Sequence, residues 1–300
     1  MIQFQKIIPA QAGEYAPYLR QEENCEYSFT NLSIWGKQQA AVVDGQLAFF
    51  SQFNRRAVYL FPAGTGSKHK VLDAILHDAQ ARGIRCCITG MNREKCELLE
   101  RYYPGKFRFF LDRDGFDYIY DIHDLADLKG RHFQKKRNHL NKFRSVCPRW
   151  RTEPISNANL EAVRAFAAQW YKTRQEIAPH RDYHLEQQAL SRALNDLSVL
   201  PLEGMVLLVG TRILAFTLAS PLTDDTYDIH FEKAVEDIDG AYAAINQAFA
   251  DHLRKKHPKL RYLNREDDMG IEGLRQAKLS YHPHHLIEKY WAVLGEDEDV

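Results

Sequence analysis

The 300-residue sequence predicts an α/β protein with mixed sheets, built from two tandem copies of one unit. Two observations carry this. The same order of apolar runs and helical periodicities occurs twice, and each copy opens on two strand-length runs separated by a two-residue turn. In the first half, residues 40–43 and 46–50 flank Asp44-Gly45, a pair that closes a tight hairpin because both types tolerate positive φ. A third strand is expected at 57–61. Residues 67–82 then place Val71, Leu72, Ile75, Leu76 and Ala79 at helical intervals, with Ser67 as N-cap and Gly83 as C-cap. A strand at 84–89, a helix at 92–102 and a strand at 116–120 complete this copy.

In the second half, runs at 204–209 and 212–219 flank Gly210-Thr211, and a third strand is expected at 226–232. A helix at 241–256, a strand at 260–264, a short helix at 271–278 and a last apolar segment at 286–293 repeat the earlier order. Two helical stretches, 159–177 and 185–197, precede this hairpin and are expected on one face of the sheet. Residues 1–125 and 156–300 are therefore expected to be two domains joined by a basic linker helix within 126–155.

Composition narrows the function classes. With 45% hydrophobic and 27% charged residues the chain can bury a large core, which excludes disorder. Forty Lys+Arg cancel 40 Asp+Glu, so any contact with a polyanion must come from a local patch. Five cysteines, an odd count with no CxxC pair, point to a reducing cytoplasm. No signal peptide is expected, and no apolar run reaches the ~20 residues of a transmembrane helix. Histidines 282, 284 and 285 stand close together without matching carboxylate or Cys spacing, so no metal is expected. The acidic run 295–300 reads as a frayed tail.

Three stretches could carry chemistry. Residues 129–151 hold nine Lys/Arg and no acid. Their middle reads as a helix with Phe133, Leu140 and Phe143 turned inward, and Arg131, Lys135, Lys142, Asn138 and Asn141 turned outward. Lys135, Lys136, Arg137 and Asn138 are the candidate contacts to a phosphate-bearing partner; the bland alternative is a solvated linker helix. The second stretch runs from Glu232 and Lys233 at a strand end through Gly240 into a helix carrying Tyr242 and Asn246, where free backbone N–H groups suit a phosphate. Many such turns use Gly for geometry alone. In the third, Asn264, Arg265, Glu266, Asp267 and Asp268 follow a strand, and Arg275 and Lys278 share one face of the next helix. Acids beside bases in such a loop suit proton transfer and anion stabilisation, although a surface salt-bridge cluster has the same composition.

These stretches resemble a family of bacterial proteins related to the C-terminal domain of phosphatidylglycerol lysyltransferase. The matching residues are 28–35 (SFTNLSIW), 135–139 (KKRNH), 231–234 (FEKA), 240–246 (GAYAAIN), 263–270 (LNREDDMG) and 274–281 (LRQAKLSY), spread over nearly the whole chain. The resemblance implies two tandem GNAT-type acyltransferase domains, transfer without a covalent enzyme intermediate, and an active site mainly in the second domain (156–300), centred on the 264–268 loop with Arg275 and Lys278. Relatives move an amino acid from aminoacyl-tRNA onto phosphatidylglycerol, and tandem-GNAT relatives of the Fem type add amino acids to peptidoglycan precursors. Two departures matter. The sequence shows no multi-helix membrane domain, so lipid lysylation does not simply carry over. Residues 237–242 (DIDGAY) replace the [QR]xxGx[GA] loop that cradles coenzyme A, which ranks aminoacyl-tRNA above acyl-CoA as donor.

The expectation is thus a cytoplasmic transferase with no tightly bound cofactor, passing an acyl, in first place aminoacyl, group to an amine or hydroxyl. Residues 129–151 would hold tRNA, with peripheral contact to anionic lipid left open. Glu266 or Asp267 would be the base or acceptor-orienting carboxylate, and Arg275 and Lys278 the oxyanion or phosphate holders. Lys135, Lys136, Arg137, Asn138, Glu232, Lys233, Gly240, Tyr242, Asn246 and Asn264 would bind donor or substrate. The rivals are a non-catalytic RNA- or anion-binding protein on a degenerate acyltransferase fold, and a CoA-dependent N-acyltransferase.

Overall fold

The computed structural model describes residues 1–36, 38–53 and 56–295; the acidic run 296–300 lies outside them. The first half contains β1 (Gln5–Lys6), α1 (Ala12–Leu19), α2 (Phe29–Ile34), β2 (Gln39–Val43), β3 (Gln46–Phe53) and β4 (Arg56–Gly64). It continues with α3 (Lys68–Arg82), β5 (Cys87–Met91), α4 (Arg93–Tyr102), β6 (Phe107–Leu111), β7 (Asp117–Asp121) and α5 (Ile122–Asp127). The basic helix α6 (Gln134–Val146) leads to β8 (Trp150–Pro154), α7 (Leu160–Ile177) and α8 (His184–Asn195). Then come β9 (Glu203–Val209), β10 (Arg212–Pro221), β11 (Thr226–Ala234), α9 (Ala241–Lys256), β12 (Tyr262–Asn264), α10 (Glu272–Leu279), β13 (His285–Ile287) and β14 (Tyr290–Leu294).

Local chemistry sets many of these boundaries. Asp44 and Gly45 close the β2/β3 hairpin at φ 48° and 73°. Ser67 caps α3 by accepting from the Lys70 backbone N–H, and Gly83 ends it at φ 66°. Strands β1, β6 and β8 and helices α1, α2 and α5 were not expected. Helix α2 is six residues long and buries the polar Thr30 and Asn31 along with its apolar residues, so burial leaves no apolar period to read; β8 (WRTEP) is polar and lies at a sheet edge. The last apolar segment is two strands rather than one.

Two seven-stranded mixed sheets result, ordered β1-β2-β3-β4-β5-β14-β6 and β13-β7-β12-β11-β10-β9-β8. Each contains the same run, β2-β3-β4-β5 in one and β9-β10-β11-β12 in the other. The fourth strand follows a helix and pairs parallel to the third. These are the two tandem GNAT-like units expected. The halves also exchange strands: β7 precedes residue 125 yet pairs with β12 and β13, and β14 follows residue 156 yet inserts between β5 and β6.

Packing follows the two-residue alternation of the strands. Leu47 and Phe49 face a core shared with α1, α2, α7 and α8, and Ala48 and Phe50 face one closed by α3 and α4. On β10, Phe216 and Leu218 enter the shared core, whereas Ala215 and Ala219 face the core under α5, α6 and α9. The shared core bonds the halves into one body. Phe133, just before α6, and Leu140 and Phe143 within it are buried as the spacing requires.

The exchanged strands are tied by a buried ion pair, Lys289 Nζ to Asp117 Oδ1 at 2.7 Å, between the start of β7 and the entry to β14. Burial opposes the Lys289 charge, but Asp117 together with Cys25, Glu26 and Asp267 outweighs it and holds the ammonium well above its ordinary pKa. Removing one partner strands the other charge in the interior. Lys289→Ala is expected to destabilise the fold by about 3–5 kcal/mol, read as a melting temperature lower by roughly 10 °C. An unchanged melting temperature would show that the pair is dispensable.

Candidate active site

Strand β12 stops at Asn264, opposite Asp228, while β11 runs on to Ala234. Residues 265–268 fill the space beside the unpaired length of β11. Within that length His230 is an extra residue: Ile229 pairs with Ala219 and Phe231 with Leu218, so the backbone bulges between them. Asp228, His230 and Glu232 alternate with apolar neighbours and all reach toward the 264–268 loop.

The loop is held by residues from far along the chain. Lys278 Nζ is buried and donates to the carbonyl oxygens of Arg265, Glu266 (3.1 Å) and Asp267, using all three of its hydrogens. Burial, and then the nearby Arg265 charge, push its pKa down to about 8. Asn264 donates to Asp117 Oδ2 at 2.9 Å and to the Glu23 carbonyl at 3.2 Å, and accepts from the Glu266 backbone N–H at 2.7 Å. Glu266 and Met269 adopt φ 55° and 51°, a left-handed backbone uncommon outside glycine. That turn sends three consecutive acids into three surroundings.

Asp268 is fully buried, receives Arg275 through Nε at 2.9 Å and Nη2 at 2.8 Å, and also accepts from Tyr118 Oη, Arg113 and the Gly270 N–H. Arg275 Nη2 further reaches Asp114 at 2.6 Å. Glu266 Oε1 accepts from Asn31 Nδ2 at 2.9 Å and stands 3.4 Å from His230 Nδ1. Asp267 is half-buried, and no group among the described residues donates to its carboxylate; burial, with Glu266 nearby, raises its pKa to about 7. Arg275 and Lys278, expected as anion holders, already have partners. Arg275 is clamped on Asp268 and Asp114, and every Lys278 hydrogen is taken by a carbonyl.

A guanidinium the sequence reading left without a role is better placed. Arg265 Nη2 pairs with Glu232 Oε1 at 2.8 Å, its plane lies 5.1 Å from the Tyr281 ring and 5.6 Å from Tyr120, and its buried Nη1 has no partner. Asn246 donates to Glu232 Oε2 at 3.4 Å and leaves its own buried oxygen free. Lys136 Nζ sits 3.7 Å from the Tyr281 ring centre, with its pKa pushed down to about 8 by burial and by Arg265. Lys136, Glu232 and Asn246 are thus brought together around Arg265.

Other candidates lie elsewhere. Lys233 pairs with Glu186 and lies 4.3 Å from the Trp170 ring, while Tyr242 lies against Trp170 and Arg174, its phenol pKa raised by burial. Gly240 (φ 86°) faces α6, where a Cβ would come within 2.1 Å of the His139 carbonyl oxygen; close packing explains the glycine. Arg137 donates to the Leu128 and Gly130 carbonyls, and Lys135 and Asn138 point to solvent. Asn31, Asp117, Asp228, His230 and Lys289 were missed as site residues. The polar alternation Asp228-x-His230-x-Glu232 was the signal that could have found two of them.

Asp268→Ala is expected to free Arg113 and Arg275 and to destabilise the chain by about 3–5 kcal/mol in chemical denaturation. A loss under about 1 kcal/mol would count against the clamp.

A family model described as phosphatidylglycerol lysyltransferase, C-terminal, matches residues 18–293. A conserved protein of unknown function from Bacteroides thetaiotaomicron is 37% identical, with a TM-score of 0.93 over 98% of this chain and 100% of that one. L-PGS from Bacillus licheniformis has the same fold at 16% identity, with a TM-score of 0.72 over 98% of this chain and 94% of that one. An uncharacterized protein of Mycoplasmoides gallisepticum is 26% identical over 178 residues, 58% of this chain and 54% of that protein, so this match spans about half the length of that relative. No helix among the described residues is long and apolar enough to cross a membrane. By its match over residues 18–293, the chain belongs to the phosphatidylglycerol lysyltransferase C-terminal domain family.

Proposed function

We propose that this chain is an acyltransferase that moves an aminoacyl group from aminoacyl-tRNA to an amine or hydroxyl acceptor. The observation that carries the reading is the undonated carboxylate of Asp267 in a loop whose other acids are all engaged, next in the chain but one to a guanidinium with a free N–H. Membership of a lysyltransferase family supports it. The acceptor attacks the ester carbonyl, its proton passes to Asp267, and the tetrahedral oxyanion is held by Arg265 Nη1. When the ester C–O bond breaks, the proton goes to the departing ribose oxygen. Positioning and fixed charge do this work without a covalent enzyme intermediate.

The donor's polyanionic body fits α6. Arg131, Lys135, Arg144 and Arg149 are exposed and make no ion pair among the described residues, whereas Lys129, Lys142 and Arg151 are paired with Asp127, Asp239 and Glu153. A cytoplasmic location and contact with an anionic lipid surface belong to the same proposal.

Purified protein given labelled aminoacyl-tRNA with candidate amines and lipids is expected to release label into a new product, and Asp267→Asn to slow this about 100-fold or more while keeping its circular dichroism. Salt-sensitive tRNA binding with no product would leave a binding protein, and product from acyl-CoA alone would move the donor assignment. Uncharged tRNA tests Lys136 separately. Its charge is complete below about pH 7 and lost above about pH 9, so affinity is expected to fall several-fold across that range. Lys136→Gln is expected to abolish that fall; an equal fall in the variant would remove Lys136 from the interface.

A further inference from the structure

Beside the transfer site lies a second group of side chains whose charges do not balance. Asp228 and His230 come from β11 and Glu266 from the left-handed turn, and one donor atom from each lies within 4.8 Å of the other two. Asp228 is 0% exposed and His230 6%, yet Asp228 Oδ1 and His230 Nδ1 have no hydrogen-bond partner. His230 Nδ1 stands 3.4 Å from Asp228 Oδ2 and 3.4 Å from Glu266 Oε1. The nearest buried ammonium groups are spent, Lys289 on Asp117 and Lys278 on three carbonyls. Two carboxylates and an imidazole therefore converge on one point with no cation among the described side chains to neutralise them.

We propose that Asp228, His230 and Glu266 bind a divalent transition-metal ion. The distances fit such an ion better than they fit a proton. A proton shared between imidazole and carboxylate draws the heavy atoms to roughly 2.7–2.9 Å. Ligands at ~2.0–2.1 Å around a tetrahedral centre are instead about 3.3–3.4 Å apart, close to both distances found. One imidazole and two carboxylates form a ligand set suited to zinc, manganese or iron, and three protein ligands leave a fourth position open.

The surrounding groups orient the donors as metal sites require. Ser220 Oγ lies 2.8 Å from His230 Nε2; with that nitrogen donating to the hydroxyl, the Nδ1 lone pair faces the carboxylates. Asn31 Nδ2 donates to Asp228 Oδ2 at 3.2 Å and to Glu266 Oε1 at 2.9 Å, and Trp35 Nε1 fixes that amide by donating to its oxygen at 3.0 Å. Two segments supply the ligands, β11 and the turn at Glu266, which is why no complete metal-ligand spacing is visible in the sequence.

The test needs no transfer assay, so its failure and the failure of the proposed function are separable. Wild-type protein is dialysed against chelator, then titrated with zinc chloride and followed by calorimetry, by elemental analysis after desalting, and by thermal unfolding. One tightly held equivalent and a melting temperature raised by several degrees are expected. Asp228→Asn and His230→Gln are expected to lose the equivalent, and His284→Ala with His285→Ala to retain it; these two exposed imidazoles lie 2.9 Å apart and are the control for adventitious zinc. Cobalt in place of zinc is expected to give the intense visible absorption of a tetrahedral site in wild type. No retained equivalent in wild type overturns the proposal whatever the variants do, as does an equivalent that survives His230→Gln and disappears with His284 and His285.

Discussion

The Asp117–Lys289 pair is the constraint on which the rest of the structure depends, because it joins the two places where the halves trade strands. Asp117 opens β7, which the first half contributes to the second sheet, and Lys289 leads into β14, which the second half contributes to the first. Neither charge could be buried alone. Asp117 also accepts from the Cys25 backbone and from Asn264, so the lock that closes both sheets fixes the base of the site loop as well.

Charge around that loop is sorted by which partner the fold delivers. Asp268 is neutralised by Arg275 and Arg113, Glu232 by Arg265, and Asp117 by Lys289. Asp267 receives no donor, and Asp228 and Glu266 face an imidazole rather than an ammonium. Burial pushes Asp268 and Asp228 alike upward, so their different fates come from neighbours. For Asp268 the bonds from Arg275 and Tyr118 overcome burial and hold its carboxyl well below the ordinary range. For Asp228 nothing overcomes it, and burial with the Glu266 charge beside it holds its carboxyl well above that range. Neighbouring carboxyls around one loop are therefore held in different electrostatic states.

Rigidity at the site is borrowed from backbone groups. Lys278 holds three consecutive carbonyls in place, which stabilises a turn that Glu266 and Met269 would otherwise resist at positive φ. The bulge at His230 works in the same sense on the opposite side, turning an imidazole out of the ladder toward the loop. A strand end and a tethered loop thus meet with their side chains already aimed.

The sequence by itself determined the repeated hairpin–strand–helix–strand order, the caps of α3, the inward face of α6 and the segment that forms the site loop. Each of those depends on residues within a few positions of one another. Only the tertiary structure decided that β7 and β14 change sheets, since an apolar run such as Tyr118–Tyr120 declares a strand but not its neighbour. It also decided which of the loop acids and bases are already engaged. Arg275 and Lys278 stand at the right spacing to hold an anion, yet Asp268 and the loop carbonyls claim them first, while Arg265 keeps a free N–H. Side-chain type announces what a residue can do; the partners brought from up to 264 positions away, as for Cys25 and Lys289, determine what remains free to do it.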